Sequence, residues 1–174
     1  MEAGKYAAVE RLRNGRRVEI RALTPEHRAD LVAAVDRSSE RSLYQRFFYR
    51  KRSFTAEEVA YFVEVDFVNH VALVALVEEG TRRVIVGGGR YIIIRPGTGE
   101  LAFAVVDNYQ GQGIGAALLR HLATIAREAG IGELIADVLP DNISMLKVLE
   151  SSGLRPSTTR EAGVVHVSLK LNDA

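Results

Sequence analysis

The residues with chemistry in their spacing lie between positions 100 and 116. Gln110, Gly111, Gln112, Gly113, Ile114 and Gly115 form a glycine-rich loop between an apolar run over 101–106 and a strongly amphipathic stretch. Strand, glycine loop and helix amino-terminus together make an anion site. First-turn amides have no partner inside a helix, and the helix dipole adds positive potential there. Glycines let a phosphate reach the backbone without meeting a Cβ. The amides of Gln112, Gly113, Ile114, Gly115 and Ala116 are therefore the expected seat of a phosphate-bearing ligand. Ten residues before Gln110 stands Glu100. On a strand its side chain shares a face with Ala102, Ala104 and Val106, small enough neighbours to leave room for a substrate. A carboxylate there either takes a proton from a reacting group or is a solvated residue at a strand start.

Two ligand classes use such a loop. Gly111, Gly113 and Ala116 fit G-x-G-x-x-A, a dinucleotide fingerprint, and Asp137 ends the next strand where a ribose-binding carboxylate would stand. Gln110, Gly113 and Gly115 equally fit Q-x-x-G-x-G, the acyl-CoA signature of the GNAT N-acetyltransferase superfamily, which the chain resembles. The surrounding elements decide between them.

Composition narrows the field. The chain has 174 residues, 47% hydrophobic and 26% charged, which suits one soluble globular domain. A net charge of +1 gives no general polyanion-binding field, and the absence of cysteine excludes disulfides, zinc–thiolate sites and thiol nucleophiles. No metal is expected. No apolar run approaches the ~18 residues of a membrane span. The amino-terminus lacks a charged-then-apolar signal pattern, so a cytoplasmic location is expected.

Residues 1–15 read as an N-terminal extension and the first arm of a hairpin, with the main domain over 16–174. Asn14-Gly15 is a strong hairpin-turn signal, and Val18 and Ile20 alternate with charges. The arginines of 11–21 read as a solvated strand face, not a nucleic-acid site, because no aromatics are interleaved. Thr24-Pro25-Glu26 starts a helix with an apolar stripe of Leu31, Val32 and Val35. A second helix is expected over 38–48. A third starts at Thr55, spaced with Glu58 as a capping box, with Val59, Phe62 and Val63 facing inward. The runs 71–77, 84–94 and 100–106 read as strands joined by short turns, hence an antiparallel meander. Gly87-Gly88-Gly89 marks either a bulge or a place for substrate. In the helix after the loop, Ile114, Ala117, Leu118, His121, Leu122, Ile125 and Ala129 define the packed face, ended by Gly130. His121 reads as a packed helix residue rather than a catalyst. A strand over 133–138, a helix opened by Asn142, and a strand over 164–171 complete the chain. A dinucleotide fold would alternate strand and helix where this chain has a meander.

This order is similar to the GNAT fold over about 16–171: a single α/β (α+β) domain with a mixed, mostly antiparallel sheet flanked by helices. The resemblance implies an acetyl-CoA-dependent N-acetyltransferase working by direct attack of an amine. Gln110 to Ala116 would anchor the pyrophosphate. Val105 and Val106 would pair with the pantetheine arm where their strand splays from the next, with a backbone N–H near Val106 polarising the thioester carbonyl. Residues 137–139 would form the other lip. Asn142 would contact the acyl-CoA arm, or serve as a helix N-cap. Glu100 through Asp107, followed by Tyr109 to Gly113, resembles the bacterial Pat-type protein lysine acetyltransferases, as does Ser42-Leu43-Tyr44-Gln45-Arg46-Phe47-Phe48. That likeness implies Glu100 as general base for an amine that is mostly protonated at neutral pH, since lysine has a pKa of about 10.4. It implies a protein lysine as acceptor; a small amine is the alternative. Tyr44 and Arg46 either shape an acceptor site or only pack. Many GNAT enzymes carry a tyrosine as general acid on the last helix; Leu149 occupies that position here, leaving Ser144 or water to substitute. The missing tyrosine motivates a rival reading as a non-catalytic acyl-CoA sensor. Some Pat enzymes add a further domain, and the length here implies a stand-alone catalytic module. No nucleic-acid or membrane partner is expected.

Overall fold

A computed structural model describes residues 1–48, 51 and 53–172; of the domain expected over 16–174, positions 49, 50, 52, 173 and 174 lie outside the described residues. The strands are β1 (Ala7–Arg11), β2 (Arg17–Ala22), β3 (His70–Glu79), β4 (Arg82–Arg95), β5 (Thr98–Val105), β6 (Glu133–Val138), β7 (Arg155–Glu161) and β8 (Val164–Lys170). The helices are α1 (Arg28–Asp36), α2 (Glu40–Phe47), α3 (Ala56–Val63), α4 (Ile114–Glu128) and α5 (Ile143–Glu150). One sheet runs in the order β1-β2-β3-β4-β5-β6-β8-β7, and only the β5–β6 pair is parallel. The β3–β4–β5 meander rules out the strand–helix alternation of a dinucleotide fold.

Local chemistry accounts for most element ends. Leu12 to Arg16 close the first hairpin with Gly15 at φ 83°, a conformation that favours glycine, while Asn14 Oδ1 accepts from the Arg16 amide. β1, the arm set apart as part of 1–15, pairs with β2 along its whole length. Three arginines of this region have partners: Arg11 donates to the Gly15 carbonyl, Arg16 lies over the Tyr109 ring, and Arg21 pairs with Glu19, which also holds Arg83 of β4. Thr55 and Glu58 make the expected capping box of α3, and Asn142 Oδ1 caps α5 by accepting from the Met145 amide.

α4 covers one face of the sheet with Ile114, Leu118, Leu122 and Ile125, all buried. His121 bonds Tyr6 and Glu10 on the β1 side, at the edge of the sheet remote from β5–β6, as a packed residue would. The glycine run has two roles. A Cβ on Gly87 or Gly89 would press on Ile114 or Leu122 of α4 at 3.2 and 3.0 Å, so these glycines permit close helix–sheet packing. Gly88 points to the other face, where its nearest neighbour is a backbone oxygen at 3.6 Å. A register shift next to Gly87 adds a bulge.

The apolar stripe of α1 is only partly covered: Leu31 and Val35 are half-buried and Val32 is 40% exposed. These side chains line a cavity described below. A strand is also present where none was expected, β7, every residue of which is exposed. Among the described residues no helix is long and apolar enough to cross a membrane.

Candidate active site

The site begins where the sheet comes apart. β5 pairs with β6 only at Thr98, Gly99 and Glu100, opposite Glu133, Leu134 and Ile135. Beyond Glu100 the two strands part. The resulting cleft of about 40 Å³ runs between 101–103 and 136–138. Asn142 and Met145 of α5 and Gln45 and Arg46 of α2 close it.

Alternation along β5 decides which amides face the opening. The Val106 N–H donates to the Val86 carbonyl of β4 at 2.8 Å. It is committed to the sheet, so the backbone N–H expected near Val106 is not that of Val106 itself. Neighbouring residues on a strand present their backbone groups to opposite sides. The amides of Leu101, Phe103 and Val105 are therefore directed at the opening, and of the N–H groups near Val106 it is that of Val105 that faces it.

The loop after β5 is braced on four sides. Asp107 accepts from the Ser39 amide and hydroxyl at 2.8 and 2.7 Å, pinning the start of α2. Burial works to raise the Asp107 pKa, but these bonds outweigh it and hold the carboxyl below its usual range. Gln110 Nε2 donates to the Val105 carbonyl at 2.9 Å and to Ser42 Oγ at 3.1 Å. Gln112 Oε1 accepts from Asn14 in the first hairpin, and the Tyr109 hydroxyl donates to Glu79. The side chains of Gln110 and Gln112 thus hold the loop, leaving its backbone to meet a ligand. Gly111 and Gly113 have φ of 77° and 96°, and a Cβ at either would meet nothing within 4 Å. Among the described residues none accepts from the amides of Gly111, Gln112, Gly113, Ile114, Gly115 or Ala116. Unpartnered amides at the amino end of a 15-residue helix, with open space before them, fit a pyrophosphate. Gly115 packs toward Val148 of α5, its nearest neighbour for a Cβ at 3.6 Å.

Glu100 is exposed at the last paired position, on the same face as Ala102 and Ala104. No described side chain bonds it. Asp137, one lip of the cleft, bonds His166 Nδ1 of β8 at 2.5 Å. Leu149 is wholly buried, so α5 presents Asn142 and Met145 to the cleft instead. Ser144 is exposed.

The sequence model of the acetyltransferase (GNAT) family matches residues 37–154. The chain belongs to that family. It is 35% identical over 127 residues to the acetyltransferase Pat of Mycolicibacterium smegmatis, in a match covering 71% of this chain and 36% of that protein. It is 33% identical to the acetyltransferase PA5475 of Pseudomonas aeruginosa, over 72% of this chain and 68% of that one. Among solved structures, the GNAT domain of S. lividans PAT superposes with a TM-score of 0.85 at 34% identity, covering 94% of this chain and 96% of that one. The chain spans about a third of the M. smegmatis Pat. The GNAT fold is shared at 19% identity by yncA of Salmonella typhimurium, solved with its cofactor acetyl-CoA, with a TM-score of 0.72 over 90% of this chain and 95% of that one. Within the GNAT family its likeness is to the Pat acetyltransferases.

The Ser42–Phe48 run now has partners. Ser42 meets Gln110, Arg46 lines the cleft, and Phe47 packs edge-on against Phe54. The links from Ser39 and Ser42 to the loop join residues 68 apart and leave no local signal; the polar Ser-rich start of α2 was the only hint.

Proposed function

We propose that the chain transfers an acetyl group from acetyl-CoA directly to a primary amine, with a protein lysine as acceptor and Glu100 as general base. The observation that carries this reading is the parting of β5 and β6 just beyond Glu100, beside the unpartnered amides of 111–116. The thioester supplies the acetyl group. Gln110 to Ala116 hold the pyrophosphate, the open edge of β5 holds the pantetheine arm, and Asn142 contacts it from α5. The Val105 N–H lowers the energy of the carbonyl oxygen as it gains charge. Glu100, exposed on the adjoining face, takes the proton of the attacking amine directly or through water. The sequence resemblance to Pat-type protein lysine acetyltransferases motivates the lysine acceptor, and an acetyl-CoA donor fits a reaction in the cytoplasm.

One observation favours a second reading, an acyl-CoA sensor without turnover: Leu149 is buried where a tyrosine would protonate the leaving thiolate. Release of free CoA thiol from acetyl-CoA in the presence of lysine peptides separates the two. Turnover that Glu100→Gln abolishes while acetyl-CoA binding survives supports the enzyme. Binding without thiol release for any amine supports the sensor.

A further inference from the structure

A second cavity of about 200 Å³ lies on the opposite face of the sheet from α4, beneath α1, α2 and α3. Its floor is Gly88, Ala102 and Ala104, and it reaches Val105 and Val106, so it adjoins the parted edge of β5. A two-carbon acyl group fills only a small part of it. The walls are mostly apolar, with Leu31, Val35, Leu43, Phe54 and Phe62 prominent, and carry one carboxylate, Asp36, which does not pair with Arg90. Set into them is a cation, Arg90, whose guanidinium lies over the Phe62 ring at 4.6 Å.

Among the described residues Arg90 has no counter-charge. Its Nη1 donates to His70 Nε2 at 2.9 Å, and both Nη atoms reach the Phe62 carbonyl at 3.4 Å. No Asp or Glu among the described residues pairs with it. His70 accepts through Nε2 and is neutral at physiological pH: burial, then the adjacent Arg90, pushes its imidazole down to about 4. Burial, then Arg46, lowers Arg90 itself to about 9. A guanidinium carries five N–H donors. Nε bonds no described residue, yet no fully buried polar side-chain atom lacks a partner, so Nε opens onto accessible space. An unpaired charge in an apolar cavity is costly, and a ligand that brings the opposite charge relieves that cost.

Resting on the acyltransferase reading above, we infer that this cavity recognises an organic carboxylate through Arg90, with the ligand's apolar portion against the aromatic wall. The carboxylate arrives either as the far end of a dicarboxylic acyl-CoA or as the carboxylate of an amino-acid acceptor. With the first source the acceptor nitrogen attacks the thioester carbon, a C–N bond forms, the C–S bond breaks, the nitrogen's proton goes to Glu100, and CoA leaves as thiol after taking a proton from solvent. With the second the same bonds change, and the acyl group is acetyl.

Two arms on the full chain test this. The donor arm compares kcat/KM for succinyl-CoA and its uncharged counterpart butyryl-CoA with one amine. The acceptor arm uses acetyl-CoA and compares leucine with isopentylamine. One arm is expected to favour the carboxylate by about tenfold to a hundredfold, as a charge-assisted bond would, and the arm that does so names the source. Arg90→Met should erase the preference and Arg90→Lys should restore part of it. No preference in either arm, or a preference that survives Arg90→Met, overturns the inference. Arg90→Met also removes bonds to α3 and His70, so calorimetric titration of the unmodified chain with the same four compounds provides a readout that needs no variant. Tighter binding of a carboxylate compound than of its counterpart supports the site, and equal affinity in both pairs overturns it. If no pair turns over, the titration still decides the cavity, and only the acyltransferase reading fails.

Discussion

The two faces of the β3–β4–β5 meander are built to opposite ends. On the α4 face, Gly87 and Gly89 bring the helix so close that a single added methyl would press on Ile114 or Leu122. On the face beneath α1, α2 and α3, Gly88 between them meets nothing closer than 3.6 Å, and the apolar side chains of α1 surround a cavity. Alternation along one strand gives neighbouring glycines different tasks. One face fixes the sheet, and that fixed sheet holds the other face and the parted edge of β5 open for ligands. Apolar periodicity alone does not tell a core stripe from a cavity stripe.

The largest expected effect belongs to the open side. Glu100→Gln should lower kcat by about 10²- to 10⁴-fold, the usual worth of a general base, with acetyl-CoA affinity unchanged by calorimetry. A loss of affinity with kcat intact would mean Glu100 binds rather than reacts. On the packed face, Leu122→Ala should cost about 2–5 kcal/mol in denaturant unfolding, whereas Val35→Ala on the cavity wall should cost less than about 1 kcal/mol because little packed area is lost. Comparable costs would erase the contrast.

A pH titration sharpens it further. His70 is 9% exposed, and its folded pKa of about 4 lies below the ordinary 6.5. Below pH 6.5 the unfolded chain binds a proton that the folded chain refuses, so stability should fall as pH drops and level off near pH 4. The step is at most about 3 kcal/mol. His70→Gln should remove this step from the difference between wild-type and variant unfolding curves. The smallest contrast lies within the glycine run: Gly89→Ala should cost about 1–3 kcal/mol through overpacking, and Gly88→Ala should change stability by less than about 1 kcal/mol. Thermal melts of the two variants check this directly.

Much of this was readable in the sequence wherever the signal is local. The Asn14-Gly15 turn, the Thr55–Glu58 box and the Asn142 cap each depend on residues within four positions, and each is found as expected. The α4 stripe is legible because Ile114, Ala117, Leu118, Leu122 and Ile125 recur at spacings of three and four and are all buried; Ala129, expected on the same face, lies past the end of α4 and is exposed. β7 was not: Arg155-Pro156-Ser157-Thr158-Thr159-Arg160-Glu161 has no apolar alternation, because both of its faces meet solvent. It is a strand because β8 offers it an edge, and its proline is tolerated there. The glycine loop could be read from residue types alone, but its bracing could not, since Asp107–Ser39 and Gln110–Ser42 join segments far apart. Which amide near Val106 faces the opening could not be read from the sequence, because it depends on the β4–β5 register, and that register is a tertiary property.

The central claim is that the parted strands and the amides of 111–116 form an acyl-CoA site. Calorimetric titration of the purified chain with acetyl-CoA, against NAD as the rival ligand for the same glycine loop, tests it most directly. Saturable binding of acetyl-CoA at one site, and none of NAD, is expected. Binding of NAD without acetyl-CoA, or of neither, would contradict it.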